Sequence, residues 1–264
     1  MINSFNRINF AFLPIILGVI LTIPQALAVQ LNIVTEHLPP YQFKENKNIT
    51  GFASEIIKAA LATTPYNYTI NIYPWSRAYN MALKKENTCI YSIARNQERE
   101  NSFKWVAPIA KTTTYFIGLT KNKSIKLNTL ADAKNYVTAV IKNDITHQFL
   151  VFKGFKEFEH FFVVNSTDSL LKLLTRRKNI DLILVDDLTL TYRAKLIGED
   201  PKKYSAFIPL QKSPLVFYLA CSNLTDDKIV KNLENAIDKI KKNGTYRKII
   251  HHWLGDEDKR LAYE

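Results

Sequence analysis

Apolar residues recur along this chain at two spacings. Leu31-Asn32-Ile33-Val34-Thr35 is a short β-type run, and Glu36-His37-Leu38-Pro39-Pro40-Tyr41 ends it in a stiff turn. From Gly51-Phe52 to Leu61 the apolar positions Phe52, Ile56 and Ala59/Ala60 share one helical face. Tyr68 to Tyr73 predicts a second strand. Pro74-Trp75-Ser76-Arg77-Ala78 then opens a second helix, with Ser76 as its expected N-cap and Ala78, Met81 and Ala82 on its buried side. Cys89 to Ile93 predicts a third strand. Short β-α-β-α-β alternation of this kind calls for a parallel sheet with helices on its faces.

Beyond residue 111 a second set of elements begins. Thr112 to Thr120 is a β-rich run with no helix before it. Thr129 to Lys134 predicts a short helix, Tyr136 to Ile141 a strand, and Ile145 to Phe152 a helix. Phe161 to Val164 is a strand, Asp168 to Arg176 a helix, Ile180 to Val185 a strand and Asp187 to Leu196 a helix. This predicts a second αβ lobe. Leu215 to Ala220 is an apolar return strand. Thr225 to Lys242 is a periodic helix with Ile229, Leu233, Ala236/Ile237 and Ile240 on one face, stopped by Asn243-Gly244. A last helix runs from about Tyr246 to Trp253. The 264 residues suffice for two lobes of roughly 100 to 150 residues each.

The first 28 residues read differently. Arg7, the apolar run Phe10 to Ile23, and Pro24-Gln25-Ala26-Leu27-Ala28 have the layout of a cleaved secretory signal, with a mature start near Val29. The alternative, an uncleaved anchor, has too short a run for a comfortable span. No cysteine follows closely, which argues against a lipoprotein anchor. The two cysteines, Cys89 and Cys221, would then meet an oxidising compartment, as one disulfide or as two buried thiols. The net charge of +12 raises the question of nucleic acid, but the basic residues are scattered among acidic ones without a binding motif. The charge reads as a solvated lysine surface.

No G-x-S-x-G, H-E-x-x-H, P-loop or G-x-G-x-x-G occurs. His251-His252 suits the end of a helix better than a metal site. What remains is a set of charged residues that each follow a predicted strand: Glu36, Arg99, Asp144 and Asp186. Open α/β sheets bind ligands at the carboxyl ends of their strands, and the planar fork of arginine suits a carboxylate. Against this, Arg95 and Arg99 could be solvated charges pairing with Glu98 and Glu100. Asp186 could be the N-cap of the following helix, a role Asp187 would fill equally well.

Ser92, Glu98-Arg99 and Phe103-Lys104-Trp105-Val106-Ala107-Pro108-Ile109 form the pattern S-x-x-x-x-x-E-R followed by F-x-W-V-x-P-I. This resembles the periplasmic solute-binding proteins of amino-acid ABC importers, over nearly the whole mature chain. The resemblance implies a two-lobed α/β fold of the type II periplasmic-binding kind, each lobe a mostly parallel sheet flanked by helices. Two crossing segments, near Lys111 and Ser213-Pro214, would join the lobes. It divides the chain into signal 1–28, first lobe 29–111 and 214–264, and second lobe 112–213, with the terminal helices packed back on the first lobe. It implies that Arg99 clamps a ligand carboxylate, helped by Ser92 and Ala94. In R-R-K-N-I-D-L-I-L-V-D-D, Asp181 matches the motif aspartate and Asp186 the acceptor of the ligand ammonium. Tyr41 and Trp75 match pocket walls, and Arg77 resembles a further arginine that a subgroup places near the cleft. In the related fold the return strand runs antiparallel beside the third strand, which would bring Cys89 and Cys221 to one edge, away from the ligand.

One departure stands out. Typical amino-acid binders of this kind carry glycine followed by serine or threonine where this chain has Lys142-Asn143-Asp144. That weakens the expectation of an ordinary α-amino acid and leaves room for an amine-bearing or larger ligand. The expected function is extracytoplasmic capture of an amino acid or related compound for an ABC-type permease, by a monomer without cofactor. The rivals are a periplasmic dehydratase of prephenate- or arogenate-like substrates, using Glu36 or Asp144 as acid or base, and a ligand-sensing partner of a membrane receptor.

Overall fold

The computed structural model describes residues 29–177 and 179–255; the expected signal segment lies outside them. In chain order the elements are β1 (Gln30–Thr35), the hairpin β2 (Phe43–Glu45) and β3 (Asn48–Thr50), α1 (Phe52–Leu61), β4 (Asn67–Ile72), α2 (Trp75–Lys84), β5 (Thr88–Ala94) and β6 (Phe103–Thr112). There follow β7 (Thr114–Leu119), β8 (Thr138–Ile141), α3 (Ile145–Phe152), β9 (Phe161–Val164), α4 (Thr167–Arg176), β10 (Leu182–Asp186), α5 (Asp187–Leu196) and β11 (Tyr204–Pro209). The chain closes with β12 (Leu215–Ser222), α6 (Asp227–Lys242) and α7 (Thr245–Leu254).

These elements build two five-stranded sheets, ordered β4-β1-β5-β12-β6 and β11-β7-β10-β8-β9. In the first, β4, β1 and β5 run parallel and β12 is antiparallel to both of its neighbours. In the second, β10, β8 and β9 run parallel, while β7 is antiparallel to both of its neighbours, β10 and β11. The chain crosses between the sheets twice, once from β6 to β7 and once from β11 to β12.

Helix α6 buries Ile229, Leu233, Ala236, Ile237 and Ile240, the stripe its sequence period predicts, and Asp226 caps its start by accepting from the Lys228 amide. With α1 and α7 it covers one face of the first sheet. Two strand features and one helix differ from the sequence reading. Phe103–Thr112 is a full strand, although Pro108 argues against one; it lies at a sheet edge, where a missing N–H is tolerated. The predicted run through Thr112–Thr120 breaks at Thr113, the first crossing. The expected helix at Thr129–Lys134 is a single 3₁₀ turn, Asp132–Asn135.

Cys89 and Cys221 face each other in register on β5 and β12 and form a disulfide, so the two-thiol alternative falls away. They sit at the start of β5, at the opposite end from the loop that carries Arg99.

Candidate functional site

The two sheets meet at the carboxyl ends of β1, β5, β8 and β10, and a cavity of about 60 Å³ lies between them. Its lining combines Glu36, Trp75, Ser92, Ala94 and Arg99 from the first lobe with Asp144 and Asp186 from the second. Seven of the nine residues singled out from sequence therefore share one cavity wall.

Local structure explains how each one arrives. Ser92 has φ 60 inside β5, and the register passes from Tyr91↔Leu219 to Ile93↔Tyr218, so Ser92 is the extra residue of a bulge. Bulges re-aim a side chain out of the ladder; the Ser92 hydroxyl donates to Gln42 Oε1 at 2.7 Å. Arg99 is held by a turn in which its amide donates to Asn96 Oδ1. Its side chain is 1% exposed and lies 5.4 Å and 5.3 Å from the ring centres of Trp75 and Tyr79. It donates to the carbonyls of Ala94 at 3.2 Å and Asn143 at 3.5 Å, while its Nε has no hydrogen-bond partner among the described residues. The surface pairing considered for both arginines applies to Arg95, which binds Glu100, and not to Arg99.

Tyr41 stands behind the cavity, fully buried. Gly51 makes room for it: φ is 103, and a Cβ there would come within 2.5 Å of the Tyr41 carbonyl oxygen. That carbonyl accepts the amides of Ala53 and Ser54 at the start of α1. The Tyr41 hydroxyl crosses to the second lobe and donates to Asp186 Oδ1 at 3.2 Å. The same oxygen accepts the Thr189 amide at 3.0 Å, so Asp186 both caps α5 and faces the cavity. Asp181, by contrast, accepts the Val137 amide at the far end of β10.

Asp144 caps α3 in the same way. Its Oδ1 accepts from the His147 amide at 2.8 Å and from the Thr146 hydroxyl at 2.7 Å. The preceding Asn143 has φ 62, a conformation asparagine tolerates, and its carbonyl accepts from Trp75 Nε1 at 2.8 Å across the cleft. Ser76 is not the N-cap of α2, since Pro74 takes that position; its hydroxyl instead donates to the Lys142 carbonyl of the other lobe. Arg77 is exposed, lies over the Tyr73 ring at 4.4 Å and does not line the cavity.

The electrostatics are lopsided. Three carboxyl groups and one guanidinium line the cavity, and none of the ion pairs among the described residues includes Glu36, Asp144, Asp186 or Arg99. Burial, reinforced by the nearby Asp144, pushes the Glu36 carboxyl up to about 8, with Arg193 and Arg99 pulling the other way. Burial raises Asp144 to about 6 against its hydrogen bonds at the α3 start, and raises Asp186 as well. It lowers Arg99 from the usual guanidinium value.

Several wall residues carry no sequence signal of their own. Thr114, Ile141, Leu184, Leu215 and Phe217 look like ordinary strand residues, and only their register brings them here. Phe217 pairs with Ala94. Among the described residues no cluster of histidine, cysteine and carboxylate side chains could hold a metal, and no helix is long and apolar enough to cross a membrane.

Two mixed sheets joined by two short crossings over a polar interlobe cavity define a two-lobed solute-binding architecture of the type II periplasmic kind. Residues 31–256 match the bacterial extracellular solute-binding proteins, family 3, and the chain belongs to that family. The L-cystine-binding protein TcyJ of Bacillus subtilis (strain 168) is 24% identical over 243 residues, covering 83% of this chain and 81% of its own length. A substrate-binding protein of an ABC uptake transporter from Streptococcus pneumoniae, solved with bound histidine, superposes with a TM-score of 0.76 at 15% identity, covering 89% of this chain and 95% of that one. A histidine kinase sensor domain with similarity to periplasmic binding proteins also reaches 0.76, at 16% identity over 86% and 97% of the two chains. At these identities the solved structures speak for the fold alone.

Proposed function

We propose that this protein captures a small amino compound between its lobes, outside the cytoplasmic membrane, and presents it to an ABC-type importer. The observation that carries this reading is the pairing of Arg99 on one lobe with Asp186 on the other, across a single cavity. A guanidinium with an unpaired, buried Nε suits a carboxylate, and the Asp186 carboxyl suits an ammonium group. Family membership and the curated cystine-binding relative support the same reading. In it, residues 29–111 and 214–264 form one jaw and residues 112–213 the other, acting as a monomer after removal of residues 1–28.

Binding is a hinge closure without covalent change. The described cavity is small, so the jaws part to admit a solute. Tyr41 to Asp186 and Trp75 to the Asn143 carbonyl are contacts that re-form on closure. Titration calorimetry after a thermal-shift screen of amino acids, amines and small acids tests the reading, because a solute that binds only the folded state raises its stability. A saturable one-to-one isotherm with recovery of unchanged solute is expected. Turnover of a prephenate- or arogenate-like compound would instead favour an enzyme built on Glu36 and Asp144.

A further inference from the structure

One end of the second lobe faces away from the cleft. Along β7 and β10, Thr114 pairs with Asp186 at the cavity and Gly118 with Leu182 at the opposite end. Leu119 pairs there with Tyr204, and Thr138 with both Leu182 and Phe161. The segments joined to those strand ends, 120–136, 151–160, 175–181 and 199–203, therefore share one end of the lobe. Their described residues carry ten lysines and arginines against six aspartates and glutamates. The acids are mostly engaged: Glu199 accepts from the Tyr204 hydroxyl, Asp132 from the Asn128 and Thr129 amides, and Glu159 pairs with Lys156. The cations are mostly not. Lys121, Lys123 and Lys203 line a hollow of about 490 Å³ with Thr120, Thr175 and Glu199, and take part in none of the ion pairs among the described residues.

The same end exposes large apolar side chains. Val151, Phe152 and Phe158 are 54%, 71% and 75% exposed, and these three of the seven such side chains among the described residues fall on one short segment. Phe158 holds φ 66, an outlier for a bulky residue, and its ring rests on Phe162 at 5.8 Å. Lys153 lies 5.1 Å and 5.6 Å from the ring centres of Phe152 and Phe149. Clustered exposed apolar side chains mark contact sites, and backbone outliers concentrate where function needs them. Rings at a turn with ammonium groups beside them suit a bilayer surface, where the rings enter and the lysines stay with the headgroups.

We infer that this end of the second lobe docks on the surface of an anionic lipid bilayer. Phe152 and Phe158 enter the headgroup region, and Lys121, Lys123, Lys203 and their basic neighbours meet the lipid phosphates. Charge spread over four segments matches a fluid surface of diffuse negative charge better than a protein partner with fixed acidic positions. The contact lies at the other end of the lobe from the cleft and is separate from solute capture.

The test is co-sedimentation of the secreted mature protein, its first residue confirmed by mass spectrometry, with vesicles of phosphatidylcholine alone or with about one-third phosphatidylglycerol. Binding about tenfold or more tighter to the anionic vesicles is expected, falling as salt rises from about 0.1 M to about 0.5 M. Lys121→Gln/Lys123→Gln/Lys203→Gln should weaken it at least about fivefold. Phe152→Ser/Phe158→Asn, asparagine being tolerated at a positive φ, should do the same by at least about fivefold. Lys239→Gln/Lys242→Gln/Lys248→Gln removes the same charge from exposed positions of the first lobe and should weaken it less than about twofold. Equal binding to both vesicles, no binding to either, or an equal loss in the first-lobe variant overturns the inference. So does unchanged affinity in either second-lobe variant. Binding confined to membranes that contain an importer assigns the face to a protein and overturns the lipid contact. The capture reading is tested separately by the solute titration and stands or falls on that.

Discussion

Replacing Cys89 and Cys221 together by alanine separates what holds the protein together from what binds its ligand. The disulfide joins residues 132 positions apart and closes a loop that contains the whole second sheet. In the chain-entropy account, a cross-link over a loop of that length removes about 5 kcal/mol of freedom from the unfolded chain. Loss of native disulfides typically costs about 2–5 kcal/mol. The double variant should therefore lose about 2–5 kcal/mol in urea unfolding followed by circular dichroism, and unfold with a steeper urea dependence because its unfolded chain is less confined. Affinity should not follow. Cys89 lies five positions before Ala94 along β5, about 17 Å at the usual strand rise, and β5 and β12 stay paired along their length without the bond. A stability loss under about 1 kcal/mol would refute the loop-closure argument. A change in ligand affinity beyond about threefold, or about 0.6 kcal/mol, would refute the separation of the two ends.

Three further outcomes are expected. Arg99→Ala should weaken ligand binding by at least about 2 kcal/mol, as for one partner of a desolvated charge pair; unchanged calorimetric affinity would remove Arg99 from the site. Trp75 is buried in the closed cleft and tied to the Asn143 carbonyl, so its fluorescence should report opening and closing, and Trp75→Phe should abolish most of the ligand-induced change; a signal that persisted through Trp105 or Trp253 would contradict this. The third outcome follows from Glu36 and Asp144, whose folded values are raised to about 8 and about 6. The folded state then holds protons that the unfolded state has released, so their contribution is complete below about pH 4 and is lost as pH climbs through 6 and 8. The unliganded protein should lose urea resistance from pH 5 to pH 9, and Glu36→Gln should flatten the upper part of that slope. An unchanged slope in the variant would count against a buried, raised Glu36.

Much of this molecule could be read from local pattern. Helices α3 and α5 and strand β9 fall where the periodicity puts them, and the buried stripe of α6 follows from its apolar spacing, because each depends on residues within a few turns of one another. The charges after the strands were visible for a similar reason: an abrupt rise in polarity after an apolar run marks a strand end. What sequence could not supply depends on pairing between distant segments. Most of strand β6 drew no prediction from local pattern, and only its place at the sheet edge makes Pro108 tolerable within it. Ser92 turns out of β5 because β12 offers one residue fewer across the bulge. Phe217 reaches the cavity through its register with Ala94. Arg77 and Trp75 sit two residues apart on one helix, yet one lies over Tyr73 in solvent and the other closes the cleft. Helical spacing settles that they face different ways, but which way is inward was settled only when the second lobe docked. The same holds for Asp144. As a residue it could be a cap, an acid or a ligand contact, and its opposition to Glu36 exists only because two lobes, each folded around its own sheet, bring their strand ends to the same place.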